Sequence, residues 1–336
     1  MPQNRLIPVF IPHAGCPFDC VFCDQRTISG HVSPPSPEEV TKIISESLEK
    51  LSDPAELAFY GGSFTCLPFE DQEKYLLAAK PFLDDGRLCS IRVSTRPDAI
   101  DERILELLCK NGVATIELGA QSLDDGVLLC ANRGHSGKAV EAASKLIREK
   151  GFKLILQLMF GLPGDTAETA AETCRKAAAL NPDGVRFYPT VVIKGTKLHQ
   201  MMLARQYSPL SVEAATDLCA SLLPIFTEKN IPVIRLGLNP TDELSNSGSV
   251  AGGAYHPALG ELVWSRYFYN MAREKLSSSD ATGKTVTLLV HPRRLSVMAG
   301  QHRCNSKKLT NEFNLKKLRI LPLNTDENSV SVEVET

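Results

Sequence analysis

Three cysteines near the amino terminus have a spacing that could support metal chemistry. Cys16, Cys20 and Cys23 lie in GCPFDCVFCDQ (15–25), directly after an apolar run. A closed structural zinc site uses four ligands, and a disulfide joins two thiols. The other cysteines are scattered singly, which is typical of small buried residues. The compact trio is therefore the leading candidate metal site.

An iron–sulfur cluster fits three thiolates better than zinc does. Three thiolates on a four-iron cluster leave one iron open, and that iron can chelate the amine and carboxylate of S-adenosylmethionine (SAM). One electron then cleaves the sulfur–C5′ bond and yields a 5′-deoxyadenosyl radical, which can take hydrogen from unactivated carbon. Two alternatives stay open: zinc with His13 as fourth ligand, and a thioredoxin-type Cys20/Cys23 pair.

Length and composition narrow the class of protein. The chain has 336 residues, 43% hydrophobic residues and a net charge of −2. This length suits one large α/β domain with an appendage, or two modest domains. A chain that is slightly acidic overall must make any nucleic-acid contact through a local patch. The start of the chain does not read as a signal peptide, and no apolar run reaches the roughly 18 residues of a spanning helix. We expect a cytoplasmic protein with reduced cysteines.

Strand-like and helix-like segments alternate along most of the chain, as they must to position such a site. Predicted strands cover 6–13, 56–62, 90–95, 115–121, 153–161, 184–193 and 232–238. Predicted helices cover 37–51, 68–83, 99–111, 137–150, 166–180, 196–206 and 211–229. After a long polar loop, a helix (257–276), a strand (284–292), a further helix and a last strand follow, and the tail is either disordered or an edge strand.

Repeated β–α units predict parallel strands with right-handed crossovers. No G-x-G-x-x-G follows the first strand, which weakens a dinucleotide-binding fold. Residues with chemical character follow the ends of successive strands, where active sites of βα barrels lie. We therefore predict an α/β protein with a partial (β/α)6 TIM-like barrel over 1–240 and a small C-terminal α+β extension over 241–336.

Polar side chains also alternate within three predicted strands. Because successive side chains point to opposite faces, each set shares one face of its strand. The sets are Glu117, Gly119 and Gln121; Gln157, Met159 and Gly161; and Arg186, Tyr188 and Thr190. Buried polar groups need partners. A network that satisfies itself inside the barrel is one explanation, and a bound polar ligand in the lumen is the preferred one.

The cysteine motif resembles that of the radical SAM superfamily. C-x3-C-x2-C with Phe22 before the last cysteine is followed in order by GGS (61–63), ELGAQS (117–122) and QLMFGLPGD (157–165). The resemblance implies a 4Fe-4S cluster on the three cysteines and SAM beside it. It further implies SAM contacts from Phe22, Gly61, Gly62, Ser63, Glu117, Gln121, Gln157, Met159 and Gly161. Ser63 stands where many relatives have Glu or Thr, which puts a side-chain role there in doubt.

Within the superfamily, GGSFT (61–65), STRPD (94–98) and RGHS (133–136) resemble the radical SAM domain of the Elongator catalytic subunit. The cysteine spacing and GLPGDT (161–166) are also similar to the oxygen-independent coproporphyrinogen oxidase group. Elongator has a longer first cysteine spacing and an acetyltransferase domain, which the residues after 240 are too few to hold. We therefore expect that this chain alone does not run Elongator's full reaction.

Three residues are candidates for catalysis. Arg96, before Pro97 at a strand end, could pair with a carboxylate of SAM or substrate. His135 could exchange a proton near neutral pH. Tyr188, with Arg186, could face the substrate. Hydrogen bonds that structure a loop are the alternative role for Arg96 and His135.

Charge asymmetry suggests a partner. Segment 291–319 holds eight Lys or Arg residues against Glu312 alone, and such a segment could bind RNA phosphates or be a solvated helix face. A flavodoxin- or ferredoxin-like electron donor is the other expected partner. Three functions compete: a radical SAM enzyme acting on RNA, one acting on a small or tetrapyrrole-like molecule, and a non-catalytic haem or iron–sulfur carrier on the same fold.

Overall fold

A curved parallel sheet forms the centre of the molecule. The computed structural model describes residues 5–11, 18–24, 33–51, 54–239, 244 and 248–335. Seven strands lie in the sheet in chain order, and every neighbouring pair is parallel. They are β1 (Arg5–Phe10), β2 (Ala55–Tyr60), β3 (Leu88–Thr95), β4 (Val113–Gln121), β5 (Lys153–Phe160), β6 (Gly184–Pro189) and β8 (Val233–Leu236).

Helices connect these strands and cover the outer face of the sheet. They are α1 (Pro37–Leu48), α2 (Phe69–Asp84), α3 (Glu102–Lys110), α4 (Asp125–Cys130), α5 (Gly137–Glu149), α6 (Ala167–Ala179), α7 (Lys197–Leu203), α8 (Val212–Leu222) and α9 (Pro224–Thr227). Local sequence sets several of the starts. Ser36 caps α1 in a capping box with Glu39, and the Ser136 side chain caps α5. Each such cap stabilises its helix by about 1 kcal/mol.

The core lies between the sheet and these helices. On β4, Ile116 and Leu118 point into this layer and are fully buried. Phe160 of β5 meets Phe187 of β6 edge-to-face at 4.9 Å, and Phe187 meets Phe226 of α9 at 5.5 Å. Such aromatic pairs contribute about 0.5–1.5 kcal/mol each beyond their buried area. Alternation then turns the intervening side chains of each strand toward the inner face, where the site lies.

The C-terminal part contains a second, smaller sheet. Helix α10 (Leu259–Ser277) precedes β10 (Thr285–Val290), α11 (Leu295–Ala299), α12 (Cys304–Glu312), β11 (Lys317–Pro322) and β12 (Val330–Val334). Strand β10 is central, parallel to β11 and antiparallel to β12. Helix α10 buries Val263 and Phe268 in the common core.

The α/β partial barrel predicted from the sequence is confirmed, with β8 as its seventh strand. The predicted strand 184–193 is divided in two, because β7 (Val191–Ile193) leaves the sheet and pairs antiparallel with β9 (Val250–Gly253). Strand β9 lies in a segment predicted to be a loop. Among the described helices, none is long and apolar enough to cross a membrane.

Candidate active site

The inner face of the curved sheet encloses a cavity of about 380 Å³. Its walls combine apolar residues of β1 with polar residues from strands β2 to β6 and β8. A loop that carries two of the predicted cysteine ligands closes one side. We call residues 18–24 the cysteine loop. The main lining residues are Leu6, Pro8, Phe10, Phe22, Cys23, Tyr60, Gly61, Gly62, Ser94, Glu117, Gln121, Gln157, Met159, Arg186, Tyr188, Arg235 and Asn239.

A buried carboxylate organises the polar side of this cavity. Glu117 is 0% exposed, and its Oε1 accepts hydrogen bonds from Tyr60 at 2.9 Å and from Arg92 and Arg186 at 2.8 Å each. Its Oε2 accepts one from the Gln157 amide at 2.9 Å. The partners come from β2, β3, β5 and β6. The carboxylate therefore ties four strands together at one point.

Electrostatics keep this carboxylate charged. Burial alone would raise the pKa of Glu117, but the guanidinium groups of Arg186 and Arg92 outweigh burial and hold that pKa below its ordinary value. A second buried carboxylate, Glu56, accepts from Arg92 at 2.7 Å. Both carboxylates are thus paired with guanidinium groups. For these residues, the sequence-based alternative of an internal polar network without a ligand is present in the structure.

The cysteine loop presents two thiols in one turn. The backbone N–H of Cys23 donates to the carbonyl of Cys20 at 3.0 Å. Cys20 is buried, whereas Cys23 lines the cavity. Cys16 and His13 lie outside the described residues. Among the residues that are described, no group of three or more His, Cys, Asp or Glu is arranged to hold a metal ion.

Residues 131–134, which follow α4, hold the cysteine loop in place. The N–H of Val21 donates to the carbonyl of Ala131 at 3.1 Å, and the Asn132 side chain donates to the carbonyl of Asp19 at 2.8 Å. The second of these bonds joins residues 113 positions apart in sequence. The position of the thiols is therefore set by the barrel and not by the loop alone.

Arg133 extends this contact to a thiol. It is 7% exposed, its Nη1 donates to Cys20 Sγ at 3.6 Å, and its Nη2 donates to the carbonyl of Gly119 at 2.6 Å. The carbonyl of Arg133 accepts from Arg96 at 2.6 Å. The Arg133 guanidinium therefore contacts a predicted cluster ligand directly. Arg133 belongs to the RGHS motif noted in the sequence, but no role for its side chain was predicted from the motif.

Gly134 offers a test of this loop anchorage. Its φ is +80°, and a Cβ there would lie 2.1 Å from the Phe18 ring of the cysteine loop. We expect Gly134→Ala to displace the loop and to lower iron incorporation several-fold. Gly86→Ala is the matched control, since Gly86 has φ +78° and no atom within 4 Å of its added Cβ. Both variants carry the same backbone strain of about 1–2 kcal/mol. Equal iron content after parallel reconstitution would refute the anchoring role.

The residues expected to contact SAM divide into two groups. Phe22, Gly61, Gly62, Glu117, Gln121, Gln157 and Met159 line the cavity. Ser63 and Gly161 are absent from the described lining; Ser63 is buried, and the N–H of Gly161 donates to Asp165 at 2.8 Å. The structure thus gathers most of this set around one space, and the individual SAM contacts stay predictions.

The candidate catalytic residues lie in two places. Tyr188 lines the cavity. Arg96 is 1% exposed, pairs with Asp98 at 2.9 Å and lies over the Phe18 ring, 4.3 Å from its centroid. Burial and nearby Arg133 lower the pKa of His135 to about 4, so its ring is neutral at pH 7. Neither Arg96 nor His135 belongs to the described lining of the cavity, and their catalytic roles stay predictions.

Several site residues were missed from the sequence. Tyr60, Arg92, Ser94 and Arg235 all belong to the cavity wall or its polar network. Arg92 and Ser94 alternate on β3 in the same way as the polar residues of β4, so the period-2 pattern could have found them. Arg235 gave no such signal, because β8 is short and half-exposed.

A partial barrel with a cysteine loop at its cavity is the arrangement expected of a radical SAM enzyme. Comparison with known protein families supports this class. The model of the radical SAM superfamily matches residues 10–177, and that of the radical SAM C-terminal domain matches residues 182–268. This chain belongs to the radical SAM superfamily.

Curated relatives match part of the chain. The tRNA uridine(34) acetyltransferase of Methanocaldococcus infernus is 27% identical over 257 residues, which cover 65% of this chain and 48% of that protein. Elongator complex protein 3 of Saccharomyces cerevisiae is 30% identical over 208 residues, covering 56% of this chain and 36% of the relative. The chain thus spans between about one third and two thirds of the length of such relatives.

Solved structures share the fold. Methanocaldococcus infernus Elp3 superposes with a TM-score of 0.62 at 23% identity, covering 81% of this chain and 63% of that one. Streptococcus suis SuiB superposes with a TM-score of 0.52 at 16% identity, covering 70% and 50%.

The superfamily implies SAM and a 4Fe-4S cluster, and the described residues fit both. Two thiols share a turn beside the cavity. Gly61 lines the cavity with φ +89°, and a Cβ there would crowd the Ile11 backbone at 3.3 Å, so the position favours glycine at the cavity wall. The buried Oε1 of Gln121 has no hydrogen-bond partner among the described residues. A polar ligand could satisfy it.

Proposed function

We propose that this chain uses SAM and a 4Fe-4S cluster to remove hydrogen from a substrate held in the cavity. The observation that carries the proposal is the meeting of Cys20, Cys23 and the polar cavity wall at one place. When bound, the cluster supplies one electron to SAM, which releases a 5′-deoxyadenosyl radical able to abstract hydrogen.

The chain's own residues bind and orient. Cys16, Cys20 and Cys23 would hold the cluster, with Arg133 donating to Cys20 Sγ. The Gly61–Gly62 backbone would receive the amino group of SAM, because glycine permits close approach. The Gln121 amide would meet a polar group of the nucleoside. Glu117 holds the Arg92 and Arg186 side chains in position, so that the polar wall does not need to reorganise when ligands bind.

The test is direct. Full-length protein, reconstituted with iron and sulfide without oxygen and then reduced, is expected to form 5′-deoxyadenosine from SAM. Protein left without iron is the control. Failure to form 5′-deoxyadenosine at full iron content would exclude the enzymatic proposal and favour the carrier. In the cell, a flavodoxin- or ferredoxin-like protein would donate the electron. A reducing cytoplasm would keep the cysteines of this chain available as cluster ligands.

RNA is the substrate class that we propose. Support comes from the names of the curated relatives and from the basic segment 291–319. Three of its basic residues are engaged, since Arg293 and Arg294 pair with Glu327, and Arg319 pairs with Glu335. Others are exposed and have no carboxylate partner among the described residues. These are Arg303, Lys307, Lys308, Lys316 and Lys317.

We expect the double substitution Lys307→Gln/Lys308→Gln to weaken tRNA binding more than Arg293→Gln/Arg319→Gln does. Both doubles remove two charges, but the second pair already has acidic partners. The slope of log affinity against log salt should become shallower by about 0.7–0.9 for each phosphate that the variant no longer neutralises. Filter binding across a salt series measures it. Equal effects, or no salt-sensitive binding by the wild type, would favour a small-molecule or tetrapyrrole-like substrate.

A further inference from the structure

Two arginines lie at neighbouring positions where edge strand β8 pairs with β6. Arg235 of β8 pairs in register with Arg186 of β6, so the two side chains share a face of the sheet. Both line the cavity. Like charges at directly neighbouring positions destabilise a sheet unless opposite charge compensates them. The wall between β6 and β8 therefore favours an anion.

The carboxylates of the polar network compensate Arg186 but not Arg235. Glu117 lies 2.8 Å from Arg186 and 2.8 Å from Arg92. Glu56 lies 2.7 Å from Arg92. Both carboxylates are thus paired with Arg92 or Arg186, and neither forms an ion pair with Arg235.

The contacts of Arg235 leave its terminal nitrogens available. Its Nε donates to the carbonyl of Gly237 at 3.1 Å, which orients the planar group at the cavity wall. Within residues 5–11, 18–24, 33–51, 54–239, 244 and 248–335, no carboxylate forms an ion pair with it. Burial lowers the pKa of Arg235, and the positive charge of Arg186 acts in the same direction. The group nevertheless stays charged, as arginine does in proteins.

We propose that Arg235, beside Arg186, binds an anionic group of the substrate, a phosphate or a carboxylate, inside the cavity. The planar guanidinium offers two parallel N–H donors that match two oxygens of either anion. Asn239 and Tyr188 also line this cavity and add polar atoms. This subsite rests on the proposed function, because it treats the cavity as the place of the substrate.

The test measures binding without turnover. The full chain, reconstituted with its cluster, is titrated calorimetrically with inorganic phosphate, uridine 5′-monophosphate, uridine and acetate. We expect saturable binding of the phosphate probes or of acetate, and at least tenfold weaker binding in Arg235→Gln. Arg235→Lys keeps the positive charge but loses the two parallel N–H donors. Its affinity for the probe should lie between those of the wild type and Arg235→Gln. Arg175→Gln, an exposed arginine paired with Glu172, is the matched control and should bind as wild type.

The arms of the experiment separate the sources of the anion. Binding of the phosphate probes alone identifies a phosphate, and binding of acetate alone identifies a carboxylate. Repeating the titrations with saturating SAM tests whether the site instead receives the carboxylate of SAM. Displacement of the probe by SAM, unchanged binding in Arg235→Gln, or no saturable binding by the wild type would overturn the proposal. The 5′-deoxyadenosine assay does not depend on these titrations. Failure of the anion subsite and failure of the proposed enzymatic function can therefore be distinguished.

Discussion

Replacing Cys16, Cys20 or Cys23 by serine is expected to abolish 5′-deoxyadenosine formation and to remove most of the bound iron. Loss of a residue that only supports a metal ligand costs about 10–100-fold in metal affinity or activity. Loss of a ligand should cost more, since serine offers no thiolate. Cys20 and Cys23 share one turn, so either substitution removes a donor from the same site. Iron content, visible absorbance and deoxyadenosine yield measure the effect.

Cys89 and Cys109 provide the matched control. Both are exposed single cysteines remote from the cysteine loop in the sequence. Serine at either position should leave iron content and deoxyadenosine yield at the wild-type level. A Cys23→Ser protein that keeps its full iron and activity would contradict the assignment of the cluster ligands, and a tightly bound zinc ion in the wild type would do the same.

Glu117→Gln is expected to cost about 3–5 kcal/mol in the free energy of unfolding, the range for breaking a buried ion pair from one side. The substitution keeps the shape but leaves Arg92 and Arg186 without the carboxylate that each donates to at 2.8 Å. Denaturant unfolding measures the loss. Glu335→Gln, which breaks the exposed pair with Arg319, should cost no more than about 1 kcal/mol. Equal stability of Glu117→Gln and wild type would contradict this role.

The same substitution has a defined pH signature. The folded-state pKa of Glu117 lies below its ordinary value of 4.5. The carboxylate therefore adds stability that is present above that ordinary value and is lost as the pH falls through the folded-state pKa. The stability difference between wild type and Glu117→Gln should be largest near neutral pH and should shrink in acid. A difference that grows in acid would show that another group controls it.

Local sequence patterns were enough to predict the architecture. Alternating strand and helix patterns implied a parallel sheet, and side-chain alternation implied that Glu117, Gln157 and Arg186 share its inner face. The structure agrees on both points. Such patterns are properties of segments a few residues long. They can be recognised without knowing which distant parts of the chain become neighbours.

Short elements escaped the same reasoning. Helix α4 is too short to show a helical period, and β9, with sequence VAGG, has the composition of a turn. Strand β9 exists because β7 offers it backbone partners. Its conformation is set by tertiary pairing, against weak local preference.

The residues of the site divide in the same way, into those predicted from local sequence and those brought together only by tertiary contacts. The sequence alone determined the cysteine spacing, the glycines at strand ends and the polar face of the lumen. Only the tertiary structure decided that Arg133 meets Cys20, that Glu117 unites four strands, and that Arg235 stands beside Arg186. The physical reason is that the partner of a charged group depends on which strands and loops become neighbours in space, and residues 113 positions apart in the chain carry no local sign of that contact.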